Sequence, residues 1–161
     1  MNGRKRHIIV DTQGLLLVTQ VTAANVNDRT ALQDMLNPLT HYYPQVKKLW
    51  ADMGYQGQKL KACAATYGID LEIVKRPRKW FWVPNKVKDV TAYLVSQGFE
   101  IFEKFKILPK RWIVERTFAW ISRYRRMSKD YEFLPSTQET MIHLTMIRTM
   151  LKRSLKLIHI A

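Results

Sequence analysis

The sequence predicts an α/β domain, a mixed sheet flanked by helices. Runs rich in β-branched residues alternate with segments whose apolar residues recur at helical spacing, in the order strand, strand, helix, strand, helix, strand, then two late helices. The apolar fraction is 47%, enough to pack a core rather than leave the chain disordered. With 161 residues and no repeat, linker or low-complexity stretch, 1–161 reads as a single domain.

The first strands are HIIVDT and LLLVTQVTAA, separated by Gln13-Gly14, which signals a hairpin. Asp28 can cap a helix over about Arg29 to Leu39. VKKLWA, Val46 to Ala51, reads as a short strand ending at Asp52 before the turn Met53-Gly54-Tyr55-Gln56-Gly57. A helix from Gln58 to Tyr67 and a strand from Leu71 to Val74 follow. Residues 76–108 form the least regular, insertion-like region. It opens RPRKWFWVP, whose aromatics and cations suit either base stacking or a small core. A short helix and a strand fit within Lys88 to Phe105. The last helix runs from Thr137 to about Leu157, with Met141, Leu144, Ile147, Leu151 and Leu155 along one stripe and Lys152, Arg153 and Lys156 near its C-terminus.

Lys plus Arg number 27 against 13 Asp plus Glu, a net charge of +14. An imbalance this large points to a polyanionic partner, nucleic acid before an anionic membrane. No apolar run is long enough to span a bilayer and no signal-peptide pattern opens the chain, so a soluble, cytoplasmic protein without a membrane partner is expected. The single cysteine, Cys63, rules out an internal disulfide and suits a small buried position, and no Cys/His spacing suggests zinc. The lead-in MNGRKRH offers Arg4, Lys5 and Arg6 either as solvated charges or as phosphate contacts.

The most informative stretch is PKRWIVERTFAWISRYRRMSKDYE, Pro109 to Glu132, which holds no Gly or Pro after its first residue. At helical spacing Ile113, Val114, Phe118 and Ile121 share one face, and Arg111, Glu115, Ser122 and Arg126 share another, flanked by Arg116 and Arg123. A salt bridge between Glu115 and Arg111 accounts for the charges alone. A carboxylate that holds a cation, among arginines that hold phosphate, accounts also for one acid on a basic stripe. Asp52 stands at a strand end before a glycine turn, where α/β folds commonly place functional groups, although it equally suits a helix cap. Carboxylates brought together by the fold can hold Mg²⁺ over a phosphodiester, and the residues alone offer Asp11 as a third.

The segments RKRHIIVDTQGLLLVTQVTAANVNDR, LWADMGYQG and PKRWIVERTFAWISRYRRMSKDYE resemble the DDE transposases of bacterial insertion sequences, of the insertion-sequence-5 type within the insertion-sequence-4-like group. The likeness runs from Gly3 to the C-terminus and is weakest between Arg78 and Leu108. It implies a ribonuclease H-like fold and Mg²⁺-dependent cut-and-paste DNA transposition. Asp52 in ADMGY matches the second acid and Glu115 in WIVERTFAW the third, both as metal ligands, and Arg111 matches the arginine of the same signature. The group's neighbouring tyrosine and lysine are replaced by Leu108 and Ser122, which passes the lysine's phosphate contact to Arg123 or Arg126. Arg116 and Arg125 complete the expected DNA contacts.

In that family the first catalytic Asp lies on a strand upstream of the GRKRH segment, where this chain begins. Asp11 is then a strand-end residue rather than a ligand, and the sheet is expected to lack its first, central strand and to expose two edges. The resemblance therefore implies an N-terminally truncated, C-terminal part of a catalytic domain, inactive as an isolated chain. The alternatives are a non-catalytic DNA-binding remnant that inhibits a full-length partner and a structure-directed nuclease. The implied partners are DNA, as transposon ends and target, and a second copy of the chain.

Overall fold

A computed structural model gives the fold of residues 3–74, 83–84, 89–97 and 111–158. Strands β1 (Arg4–Val10) and β2 (Leu16–Ala23) form an antiparallel hairpin. Its turn uses Gly14 at a φ of 82°, a left-handed conformation that favours glycine. Helix α1 (Asp28–Tyr42) follows, capped by the side chain of Asn27 rather than by Asp28, which instead lies in its first turn. Strand β3 (Lys48–Asp52) ends in a 3₁₀ turn, Met53–Tyr55, and α2 (Gln58–Thr66) leads into β4 (Asp70–Val74), parallel to β3.

The α/β architecture is as expected, and among the described residues the strands form two two-stranded sheets, β1–β2 and β3–β4, antiparallel and parallel respectively. The hairpin sits between two cores. Ile9 and Val18 join Leu32, Met35, Leu36 and Leu39 of α1, a core shared with Leu60, Ile69 and Leu71 around the second sheet. Leu16 and Val21, with Ile8 and Val10 beside them, pack against Ile121, Met127, Ile142 and Met146. Alternation along β1 sends successive residues into opposite cores, so this strand is covered on both faces.

Within 76–108 the structure describes helix α3 (Val90–Ser96), capped by Asp89. The expected aromatic cluster and the strand after Gly98 fall outside the described residues, apart from Val83 and Pro84.

Two late expectations need correction. The helix α4 (Arg111–Ser122) stops ten residues before Glu132, so Arg126 leaves the stripe shared by Glu115 and Ser122. The chain bends because Met127, in a second 3₁₀ turn (Arg125–Met127), is 1% exposed in the second core, and Tyr124 meets Thr149. Met127 in that core and the half-buried Tyr124 against Thr149 tie the segment after α4 to helix α5 (Pro135–Ile158). On α5 the buried residues are Gln138, Ile142, Thr145 and Met146, whereas Leu144, Ile147, Leu151 and Leu155 face outward. Among the described residues no helix is long and apolar enough to cross a membrane.

Candidate functional site

A cavity of about 590 Å³ lies between the two sheets. One wall is the unbroken run of residues 6–12 and the opposite wall the unbroken run 46–52. Leu32 and Met35 of α1 and Ile113, Val114 and Phe118 of α4 close its sides. In a strand, alternate side chains point to opposite faces. A wall made of every consecutive residue is therefore a strand edge, and this cleft lies between the edges of β1 and β3.

One end of the cleft is held by a buried polar cluster. His7, 4% exposed, meets the Tyr55 hydroxyl through Nδ1 and the Thr22 hydroxyl through Nε2, both at 3.0 Å. Burial lowers the pKa of His7, opposed by nearby Asp28 and reinforced by Lys5, so the imidazole is neutral near pH 7. Burial, aided by Asp28 and Asp52, pushes the Tyr55 hydroxyl up to about 12. Lys5 donates to Asp28 at 3.0 Å, and Gly54 packs so closely on the same carboxylate that a Cβ there would stand 3.0 Å from its Oδ2. These contacts place the end of β3 beside the beginning of β1, so the two facing strands run in opposite directions.

Asp52 and Glu115 both line this cleft, Asp52 from the end of β3 and Glu115 from α4. Asp52 Oδ1 accepts a hydrogen bond from Met53 N at 2.7 Å, capping the 3₁₀ turn that positions Tyr55. Asp11 also lines the cleft, but Oδ1 of its carboxylate accepts from Gln13 N and Leu15 N, both at 2.8 Å. It closes the hairpin turn, at the end of β1 away from Asp52. Glu115 is carried by a part of α4 anchored on that turn: Thr117 donates to Gly14 O at 2.8 Å and Arg116 to Gln13 O at 2.7 Å. Arg111 opens α4, and its side chain lies outside the described residues.

The expected basic residues separate into two groups. Arg4 donates to Glu132 O and Phe133 O and pairs with Asp130, Lys5 also donates to Val26 O, and Arg6 donates to Met127 O at 2.8 Å and Lys129 O at 3.0 Å. All three are engaged with the protein's own acceptors and fasten the 127–133 segment and the α1 entrance to β1. Arg116 is held between the rings of Trp112 and Trp120, its guanidinium carbon 4.4 and 4.8 Å from their centroids. Arg126 pairs with Glu132 at 2.7 Å, whereas Arg123 and Arg125 are exposed and have no ion pair among the described residues.

The oxygen donors of Asp52 and Glu115 are of the type Mg²⁺ prefers. Their number falls short of a full site, because among the described residues no three His, Cys, Asp or Glu side chains lie close enough to hold a metal ion. His7, Tyr55 and Thr117 do not stand out in the sequence. His7 shares the strand parity of Ile9, which marks it as inward-facing, but the residues that receive it, 15 and 48 positions away, are not visible in any local pattern.

A sequence model described as "Transposase DDE domain" matches residues 1–150. A Burkholderia cepacia protein described as a transposase for insertion sequence element IS402 is 28% identical over 137 residues, 81% of this chain and 54% of the relative. The chain thus spans about half the length of that relative. No solved structure matches it significantly.

Proposed function

The chain belongs to the DDE transposase domain family, and from that premise we propose that it is the DNA-gripping, acid-bearing part of an insertion-sequence transposase. The observation that supports this is that Asp52 and Glu115 both line one cleft. The whole transposase cuts and joins DNA strands. Here Asp52 and Glu115 contribute carboxylates for Mg²⁺, whose role when bound is to stabilise the attacking and leaving oxygens of the phosphodiester. The length and composition of the motif around Glu115 favour the insertion-sequence-5 type.

DNA binding rests on the +14 charge and on Arg123 and Arg125, which project beyond α4. Arg116 is a secondary contact, since its guanidinium is already stacked and bonded. The exposed Leu144, Ile147, Leu151 and Leu155 offer a face for a second copy.

A second possibility is a chain that binds DNA without cutting it, since among the described residues no three His, Cys, Asp or Glu side chains group closely enough to hold a metal ion. Two measurements separate these. Fluorescence anisotropy on a duplex across a salt series should give a steep loss of affinity, and Arg123→Ala with Arg125→Ala should flatten the log–log slope by about 1.8, roughly 0.9 per phosphate contact. An unchanged slope removes this segment from the footprint. Incubation with supercoiled plasmid and Mg²⁺ then decides between cutting and binding alone.

A further inference from the structure

We infer that the segment Tyr131 to Leu134 is a wedge that inserts the Phe133 ring between stacked bases of duplex DNA. This rests on the DNA-binding reading above and adds how the duplex is gripped. Phe133 is 90% exposed, the most of any large hydrophobic side chain among the described residues, and Tyr131 and Leu134 beside it are 60% and 52% exposed. Single apolar side chains scattered over a surface need no explanation, but a group of them on one short segment marks a contact.

The backbone beneath this group is pinned. Arg4 donates to Glu132 O at 2.8 Å and to Phe133 O, and it pairs with Asp130 at 3.2 Å. Leu134 O accepts from Gln138 N at 3.3 Å as α5 begins. Glu132 N donates to Asp130 Oδ1 at 3.2 Å, and the Glu132 side chain, 7% exposed, takes Arg126 at 2.7 Å. The carbonyls of Glu132, Phe133 and Leu134 are thus all engaged. A slack loop would let Phe133 fold back onto the protein, whereas this one holds the ring out in water. A wedge needs such a mount, because bases being unstacked push back on the side chain that parts them.

Charge selects the partner. Both acids of the segment, Asp130 and Glu132, are turned to the protein's own arginines. Arg125 and Lys129, exposed and without an ion pair among the described residues, are left facing solvent. An apolar tip framed by cations fits a polyanion with phosphates outside and stacked bases within. The position agrees. Arg4 and Arg6 hold this stretch to the start of β1, and Lys5, on the strand's other face, meets Asp28 and through it the Gly54 turn after Asp52. The wedge therefore stands at the same end of β1 as the Asp52 carboxylate of the proposed site.

The test compares binding of the full chain to a short, fully paired duplex and to the same duplex carrying a central bulge. The native chain should prefer the bulged duplex by about tenfold or more, because its bases are already unstacked. Phe133→Ala should bring that ratio to about one while leaving Tm and the salt slope unchanged, and Phe133→Leu, a smaller apolar wedge, should keep part of the preference. An undiminished preference in Phe133→Ala, or none in the native chain despite salt-dependent binding, would overturn the wedge and leave the DNA-binding reading standing. Weakened binding of Phe133→Ala to phosphatidylglycerol vesicles, with its duplex ratio unchanged, would assign the tip to an anionic bilayer instead. Failure to bind either duplex would remove the DNA-binding reading and the wedge with it.

Discussion

Replacing Arg6 by methionine keeps much of the apolar stem and removes the guanidinium that reaches Met127 O and Lys129 O. The buried amide of Gln138 also lies against this guanidinium. Each charged hydrogen bond contributes about 1.5–3 kcal/mol, and the two share one side chain and are not additive, so a loss of about 3 kcal/mol is expected. In a domain of this size that is roughly 6–12 °C in Tm, read by circular dichroism on the full chain. Arg6→Lys should fall between the two, because one ammonium cannot span both carbonyls. The competing role, a phosphate contact, has a different signature: native stability and a salt slope of DNA binding reduced by about 0.9. Arg6→Met with unchanged Tm and a flattened slope would refute the structural assignment.

Gly14→Ala should destabilise by about 2 kcal/mol or more, measured by urea unfolding. The positive φ disfavours a side chain, and the new Cβ would stand 2.8 Å from Thr117 Oγ1, which itself donates to Gly14 O. Stability should fall as pH drops below about 6.5, the ordinary histidine value, and keep falling until the lowered folded-state pKa of His7 is passed, because the unfolded chain binds the proton first. His7→Gln should remove that acid limb, and its persistence would assign the dependence to another group. Above about pH 10 the reverse sign applies to Tyr55: the unfolded tyrosine ionises before the folded one, so stability declines towards about pH 12.

Local chemistry made much of this molecule legible. The Gln13-Gly14 turn, the strand before Asp52 and the strand Leu71 to Val74 are each written in a few contiguous residues, and the structure places them within a residue or two. The end of α4 was not legible, because Ser122 to Glu132 holds no breaker. What stops the helix is the burial of Met127 and the hold of Arg6 on its carbonyl, a contact across 121 positions. The outer stripe of α5 misled for a related reason. Helical spacing fits Leu144, Ile147, Leu151 and Leu155 as well as it fits Ile142 and Met146, and only the tertiary contact selects the second set. The lead-in cations were ambiguous between solvent and phosphate, and their partners at Asp28 and Asp130 are distant in sequence.

The claim on which the functional proposal turns is that Asp52 and Glu115 serve one site. Substoichiometric Mn²⁺ added to the ¹⁵N-labelled chain tests it directly, since the ion broadens amides near wherever it binds. The expected result is joint loss of signal around Asp52–Tyr55 and around Glu115, abolished at both places by either Asp52→Asn or Glu115→Gln. Broadening centred on the exposed Asp70 and Glu72 instead, or at one carboxylate independently of the other, would contradict the shared site.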